Sequence, residues 1–242
     1  MRLDRSFFEL QAAFSRKACS LLRISADDAL LRYTTFYLIA DNNDAGLPPD
    51  RWSFDPEHPA WIAFLDAINS GIDPVDYMYQ HHLTSVGKGQ QVTCFGYDYW
   101  SDLSWVRLHS GNSDDGLGLR TESIPRRQAE LRQIFADVAR NHPDAAAVRV
   151  CSWLYHLPAY RRPFPAEFVD AMESVGHLHQ FAALWGQFLD RHGKAKVDLS
   201  REFLRHVDAA QTFAELDDVF PLDVLAVTCP IEVFYRHFGI ER

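Results

Sequence analysis

The sequence predicts an α/β (strictly α+β) protein with a mostly helical part over residues 1–86 and a mixed-sheet part over 87–242. Three observations predict it. Apolar residues in roughly the first 85 positions recur at three- and four-residue spacing, the repeat of amphipathic helices. At Gly87-Lys88-Gly89 the pattern changes to short aromatic and β-branched runs suited to strands. Residues 103–165 then read strand, glycine-bearing loop, long helix, strand, and two strands joined by such a helix are most simply parallel with a right-handed crossover.

Taken in order, residues 6–22 place Phe7, Leu10, Phe14, Ala18 and Leu21 on one helical face. Ser25 with Asp28 is a capping-box variant, Asp standing where Glu or Gln is usual, and predicts a second helix to about Ala40. Residues 41–59 are rich in Asn, Asp, Gly and Pro and read as a loop whose Trp52 and Phe54 predict packing. A short helix over 59–70 closes at Gly71, and another follows Asp73-Pro74 to near His82. Residues 91–97 and 103–109 read as an antiparallel pair around an aromatic turn with Tyr99, Trp100 and Asp102. Turn formers fill 110–116.

Ser123 is the expected cap of the long helix, with Pro125 tolerated in its first turn because its missing N–H would be unpaired there. Leu131, Ile134, Phe135 and Val138 supply its apolar face, and His142-Pro143-Asp144 ends it. Residues 147–155 are apolar enough for a central strand. Prolines exclude a regular helix through 157–165, whereas 166–173 can be helical. The apolar run 178–189 fits a helix or a strand and is read as a strand. A helix over 200–213, a strand over 222–228 and a last short helix from Pro230 to Gly239 complete the chain. No internal repeat or low-complexity segment interrupts it.

A net charge of −9 leaves no basic surplus to neutralise phosphates, so no nucleic-acid partner is expected. No apolar run approaches the roughly 18 residues that would span a bilayer, and Met1-Arg2-Leu3-Asp4-Arg5 opens no signal-peptide core, so no membrane association is expected. Cys19, Cys94, Cys151 and Cys229 are scattered without a CxxC pair, which predicts a reducing, cytoplasmic setting and mostly buried thiols.

Ligands of crossover sheets sit at the carboxyl ends of the strands, where loop and helix start expose backbone N–H groups. Here that place receives His109, Gly111, Gly116, Gly118, Arg120 and the helix start, and from the second strand Ser152 to His156.

This order of elements resembles the core of the GNAT-type N-acyltransferases. The run Val150-Cys151-Ser152-Trp153-Leu154-Tyr155 is similar to the "C-H-S-W-L-L" strand of a group of GNAT-like bacterial acyltransferases with a helical N-terminal domain. Pro158 and Phe164-Pro165 fit the proline-bearing segment that follows there. His179-Gln180-Phe181 resembles the group's "F-Q" strand, and Phe234-Tyr235-Arg236-His237-Phe238-Gly239-Ile240 looks like the "F-Y-x-x-x-G-F" helix end. The resemblance covers roughly 90–190 plus the C-terminus. It implies a GNAT-like mixed central sheet, acyl-CoA as co-substrate, a small-molecule amine as acceptor and no metal. Two departures stand out. Cys151 directly precedes Ser152 where the group has histidine, and Ser113-Asp114-Asp115-Gly116-Leu117-Gly118 keeps the two glycines of the "Q/R-x-x-G-x-G/A" pyrophosphate loop but adds two carboxylates that would repel the ligand. Arg120, Arg126 and Arg127 could compensate, so Gly116, Gly118, Arg120 and Arg126 are the expected cofactor-binding residues.

Acyl transfer to an amine needs a base for the amine proton and an acid for the leaving thiolate. His156 suits the first role, Tyr155 or Tyr160 the second, and His109 could face the same cleft. Ser152 and Trp153 stand beside them, and Arg161 and Arg162 could hold a carboxylate or phosphate, or else pair with the acidic surplus. Tyr97, Tyr99, Trp100, Trp105 and Trp153 could line a pocket or simply be core. Cys151 reads better as a small buried residue than as a nucleophile, because strand alternation turns it away from His156. His81-His82 and His177 with His179 could serve a metal, but no carboxylate or cysteine falls at ligand spacing. The expectation is an N-acyltransferase. The alternatives are a non-catalytic binding module of the same fold, favoured by Asp114-Asp115 and the missing motif histidine, and a metal- or thiol-dependent hydrolase.

Overall fold

The chain enters its first helix through Asp4, whose carboxylate accepts from the Ser6 N–H at 3.2 Å. This computed structural model describes residues 3–40, 55–82, 90–92, 94–111 and 118–241, so the predicted loop with Trp52 and Phe54, the Gly87–Gly89 change point and Gly116 lie outside the described residues. In chain order the helices are α1 (Arg5–Leu22), α2 (Ala26–Tyr33), α3 (Pro59–Asn69), α4 (Pro74–His81), α5 (Ile124–Asn141), α6 (Pro158–Arg161), α7 (Ala166–Asp170), α8 (Ala182–Trp185), α9 (Val197–Ala209), α10 (Phe213–Asp217) and α11 (Ile231–Phe238). The strands are β1 (Gln90–Val92), β2 (Phe95–Trp100), β3 (Trp105–Ser110), β4 (Ala147–Ser152), β5 (Glu173–Ser174) and β6 (Leu225–Pro230). They form two units, Met1–Ser85 with His177–Asp223 and Val86–Gly176 with Val224–Arg242, so residues 177–223 pack with the first stretch of chain.

In the first unit α1 buries Phe7, Phe8, Leu10, Phe14 and Ala18. The Ser25 hydroxyl accepts from the Asp28 N–H at 3.0 Å and donates to the Asp28 carboxylate at 2.9 Å, so the capping variant closes on the hydroxyl. The helix expected to run to Ala40 stops at Tyr33 and gives way to a 3-10 turn, Phe36–Ala40. Side chains end it: the Thr34 hydroxyl bonds back to the Leu30 carbonyl, and buried Gln11 accepts the Thr35 N–H at 2.7 Å. The reading of 178–189 as a strand is corrected. The run is α8 followed by a 3-10 turn, Gly186–Phe188. Phe181, Leu184, Trp185 and Phe188 recur at helical spacing and are all buried, with Trp185 5.7 Å from Phe14 and Phe188 4.6 Å from Phe203.

The second unit holds a six-stranded sheet in the order β1-β2-β3-β4-β6-β5. β1, β2 and β3 are antiparallel neighbours, β3 and β4 are parallel with α5 as their crossover, and β6 lies antiparallel between β4 and β5. The mixed α+β class read from the sequence is thus the observed one. One face, with Phe95, Tyr97, Val106, Leu108, Val148, Val150 and Val227, buries against Leu131, Ile134, Phe135 and Val138 of α5 and Phe234 of α11. Phe135 and Phe234 stack at 4.4 Å.

Two local expectations change here. β4 ends at Ser152, not Tyr155: the Ser152 hydroxyl accepts from the Leu154 N–H at 3.1 Å and folds 153–156 into a 3-10 turn. Ser123 does not cap α5, because its hydroxyl donates to the Gly118 and Arg120 carbonyls at 2.9 and 2.7 Å and fastens the preceding 3-10 turn, Thr121–Ser123. Pro158 starts the single-turn helix α6 at a position where its missing N–H costs nothing.

Candidate functional site

The site begins at a turn. Ser104, in the left-handed region at φ 52°, offers its carbonyl to the N–H groups of Ala146 and Ala147 at 2.8 and 3.3 Å, which brings β4 beside β3. The parallel ladder pairs Trp105 with Ala147, Val106 with Val148 and Arg107 with Arg149, and goes no further. β3 stays with β2 as far as Ser110, and β4 stays with β6 as far as Ser152. A wedge therefore opens between β3 and β4 at their carboxyl ends.

Residues paired across neighbouring strands share a face. Asp98, Arg107, Arg149 and Thr228 are paired in succession across β2, β3, β4 and β6, so they form one polar row on the face away from α5. Trp100 and Trp105 lie one row below, and His109 one row above at the lip of the wedge. Opposite His109 stands Gly96, whose lack of a side chain leaves the imidazole room to lean diagonally onto Asp98. His109 Nε2 and the Asp98 carboxylate are hydrogen-bonded. A guanidinium nitrogen of Arg107 lies 3.4 Å from the same carboxylate oxygen and 3.5 Å from His109 Nδ1, and the guanidinium rests 5.2 Å over the Trp100 ring.

Burial alone would raise the Asp98 carboxyl, but the His109 hydrogen bond and the charges of His109 and Arg107 outweigh it and hold the group below its usual value. Burial lowers the Arg107 guanidinium, with Asp98 opposing. Arg149 is likewise lowered by burial, with Cys151 opposing, and donates to the Thr228 hydroxyl at 3.1 Å. Burial pushes the Cys151 thiol up to about 11, which keeps it neutral near pH 7.

The remaining candidates fall into three places. Tyr155 and Tyr160 are buried against each other, Phe164 and Phe168, with rings 4.8 Å apart and the Tyr160 hydroxyl bonded to Ser110 and Tyr155. Burial holds both phenols well above their ordinary value. Half-buried Trp153 and His156 belong to the turn after β4, and Arg161 fastens that turn by donating to the Tyr155 carbonyl. Exposed Arg162 donates to the Thr121 hydroxyl at 2.8 Å, beside exposed Arg120 at the entry to α5. Gly118 is left-handed at φ 56°, and its carbonyl accepts from Arg127 at 2.9 Å. Arg127 is fully buried and paired with Glu130 at 2.6 Å, whereas Arg126 is exposed and contacts the same Glu130 at 3.3 Å. The surface arginines Arg120, Arg126 and Arg162 at this helix start could together receive phosphates.

No family model matches this chain, and neither the curated proteins nor the solved structures include a match.

Sequence reasoning reached His109 but missed Asp98, Arg107 and Arg149. The signal was present: Val106-Arg107-Leu108 and Val148-Arg149-Val150 each set one charge inside an apolar alternation, which assigns both arginines to the opposite face. In the first unit, His81 and His82 turn their Nδ1 atoms to the Tyr77 and Met78 carbonyls of their own helix. His177 and His179 meet Asp217 at 3.3 and 2.9 Å, a carboxylate that sequence spacing did not single out. Among the described residues no group of three or more His, Cys, Asp or Glu side chains is placed to hold a metal ion, and no helix is long and apolar enough to cross a membrane.

Proposed function

We propose that the second unit is an N-acyltransferase that transfers an acyl group from acyl-CoA to a small-molecule amine. The observation that carries this reading is the β3–β4 wedge with the His109–Asp98 pair at its lip. The arrangement of antiparallel strands, crossover helix and parallel strand agrees with the GNAT-like order read from the sequence, and the surface arginines at the start of α5 suit a pyrophosphate. An extended thioester arm would lie where the β3–β4 pairing ends, past Arg107 and Arg149.

The chemistry follows from the tautomer that the hydrogen bonds select. With Nε2–H donated to Asp98, His109 Nδ1 keeps its lone pair, consistent with the Arg107 donor facing it. That atom takes the proton of the acceptor amine as its nitrogen attacks the thioester carbonyl, and Asp98 stabilises the imidazolium that forms. The departing thiolate takes that proton from the imidazolium, which leaves amide, free thiol and the neutral base. Tyr155 and Tyr160, both neutral and buried beside the wedge, do not need to move for the first transfer.

Thermal unfolding with and without millimolar CoA and acetyl-CoA tests the reading. A ligand at 100 times its Kd stabilises by about 2.7 kcal/mol, a readable rise in Tm. Replacing Arg120 together with Arg126 by Ala is expected to remove most of that rise, and no shift with either ligand overturns the proposal. A second reading, a binding module of the same fold, is favoured by the packed Tyr155–Tyr160 pair beside the wedge. A CoA-induced shift without transfer to any amine would support it.

A further inference from the structure

In the first unit two imidazoles share one carboxylate. His177 Nδ1 and His179 Nε2 lie 3.3 and 2.9 Å from the two oxygens of Asp217, and the two rings are 6.3 Å apart. Asp217 is the last residue of α10, so this tie joins α10 to a stretch of chain that comes well before it. α10 has only five residues, too few to hold a helix by its own hydrogen bonds. Tertiary contacts keep it in place: Leu216 is fully buried, Phe213 packs 5.2 Å from Tyr33, and Asp217 meets the two imidazoles.

The tie is walled by rings. His179 is buried, with Phe14 of α1 at 5.0 Å, Tyr33 of α2 at 5.4 Å, Phe220 at 5.5 Å and Phe213 of α10 at 6.3 Å, and His177 lies 5.3 Å from Phe220. Trp185 of α8 donates its indole N–H to the His179 carbonyl at 2.7 Å. The charges that act on the His179 imidazole are those of Asp217 and His177, and those that act on Asp217 are the two imidazoles. Tyr33 also faces Asp217; burial raises its phenol, with Arg32 opposing and Asp217 adding to the rise. A first proton on the pair of imidazoles is matched by the carboxylate. A second is not, because one carboxylate then faces two imidazolium rings and the excess positive charge sits among aromatic side chains. Moving Asp217 and α10 off the rings lets water reach both cations and removes that cost.

We infer that α10 is a proton-released flap: with at most one imidazole charged it stays docked, and with both charged it comes off, uncovering Tyr33 and His179 and exposing its own Phe213 and Leu216 while the rest of the first unit stays folded. The flap stands apart from the acyltransferase reading, since all of these residues belong to the first unit.

The test is hydrogen exchange of the intact chain at pH 7 and pH 5, with the intrinsic pH dependence of exchange divided out. The reporters are the Leu216 and Asp218 amides, which donate to the Thr212 and Ala214 carbonyls at 3.1 and 3.0 Å. Their protection is expected to fall about tenfold or more from pH 7 to pH 5, since each proton taken up on opening is worth up to about tenfold per pH unit. At pH 5 low concentrations of urea are expected to leave that protection unchanged while the α1 amides lose theirs, because a flap exposes little surface and global unfolding exposes much. His177→Gln and His179→Gln each leave one imidazole for one carboxylate, and in each the fall is expected to shrink to about threefold or less. Equal protection of Leu216 and Asp218 at the two pH values overturns the flap, as does a fall that either single-imidazole variant keeps in full. Urea sensitivity equal to that of α1 would mean that α10 leaves only with the whole unit, and overturns it too.

Discussion

At His109 the imidazole is held from both sides, by Asp98 at Nε2 and by the Arg107 guanidinium facing Nδ1. In the proposed acyl transfer, a base fixed in this way is expected to account for about a 10²- to 10⁴-fold share of the rate. His109→Ala should lower kcat for acyl transfer by that order while the Tm shift with acetyl-CoA stays. Asp98→Asn should lower kcat as well, because the carboxylate no longer fixes the imidazole through Nε2. Initial rates at saturating acetyl-CoA check both, and an unaltered kcat in Asp98→Asn removes Asp98 from the role. A second titration belongs to the first unit. Burial lowers the His179 imidazole, with the Asp217 hydrogen bond opposing, so the folded state takes up its proton only below the ordinary value of about 6.5. On acidification the unfolded state binds that proton first, and stability falls as pH drops through about 6.5. Burial would raise Asp217, but His177 and His179 outweigh it and hold the carboxyl well below its range, so its contribution is present above about pH 4 and lost below. Both signs agree. The protection factors of the α1 amides, with the intrinsic pH dependence of exchange divided out, should therefore fall between pH 7 and 5, and His179→Gln should flatten that dependence. His109 was legible as a candidate because it ends a predicted strand before a glycine loop. Its partner was not, since Asp98 is matched to Arg107 only once the hairpin register is known.

Among the elements, the entry to α5 depends on one buried cation. Arg127 joins the Gly118 carbonyl to Glu130 and has no exposed surface. Removing one partner of a buried pair strands the other, typically at about 3–5 kcal/mol. Arg127→Met should lower the unfolding free energy in urea by about that much, and Arg127→Met with Glu130→Met should recover part of it. A loss below about 1 kcal/mol in the single variant would show that the pair does not anchor the helix. The β3–α5–β4 crossover was legible because each piece carries its own period and α5 keeps its apolar face for about two turns, from Leu131 to Val138. The α8 segment was not, because an apolar run of that length satisfies a buried strand and a helix equally until the spacing of Phe181, Leu184, Trp185 and Phe188 is weighed. Ser123 misled for a related reason: a serine hydroxyl serves a helix N–H or a nearby carbonyl with similar ease, and here the carbonyls of Gly118 and Arg120 are nearer.

For the whole molecule, the decisive contacts are distant in sequence. Phe14 packs on Trp185, Phe203 and Phe220, at ring distances of 5.7, 6.2 and 5.2 Å. Local periodicity finds the helices of Phe14 and Phe203 but cannot report which stretches share a core. A fragment ending at residue 85 lacks every one of those partners, so it is expected to show weak, non-cooperative helix signal by circular dichroism and to bind a hydrophobic dye. A sharp thermal transition in that fragment would contradict the division of the chain. The same division sets a schedule for synthesis. A ribosome adds roughly 5–20 residues per second, so on the order of ten to forty seconds separate the emergence of Phe14 from that of Phe220. Throughout that interval the nascent chain carries an aromatic helix face whose complement is not complete, and whatever shields it during translation has to let go only once Phe220 has emerged.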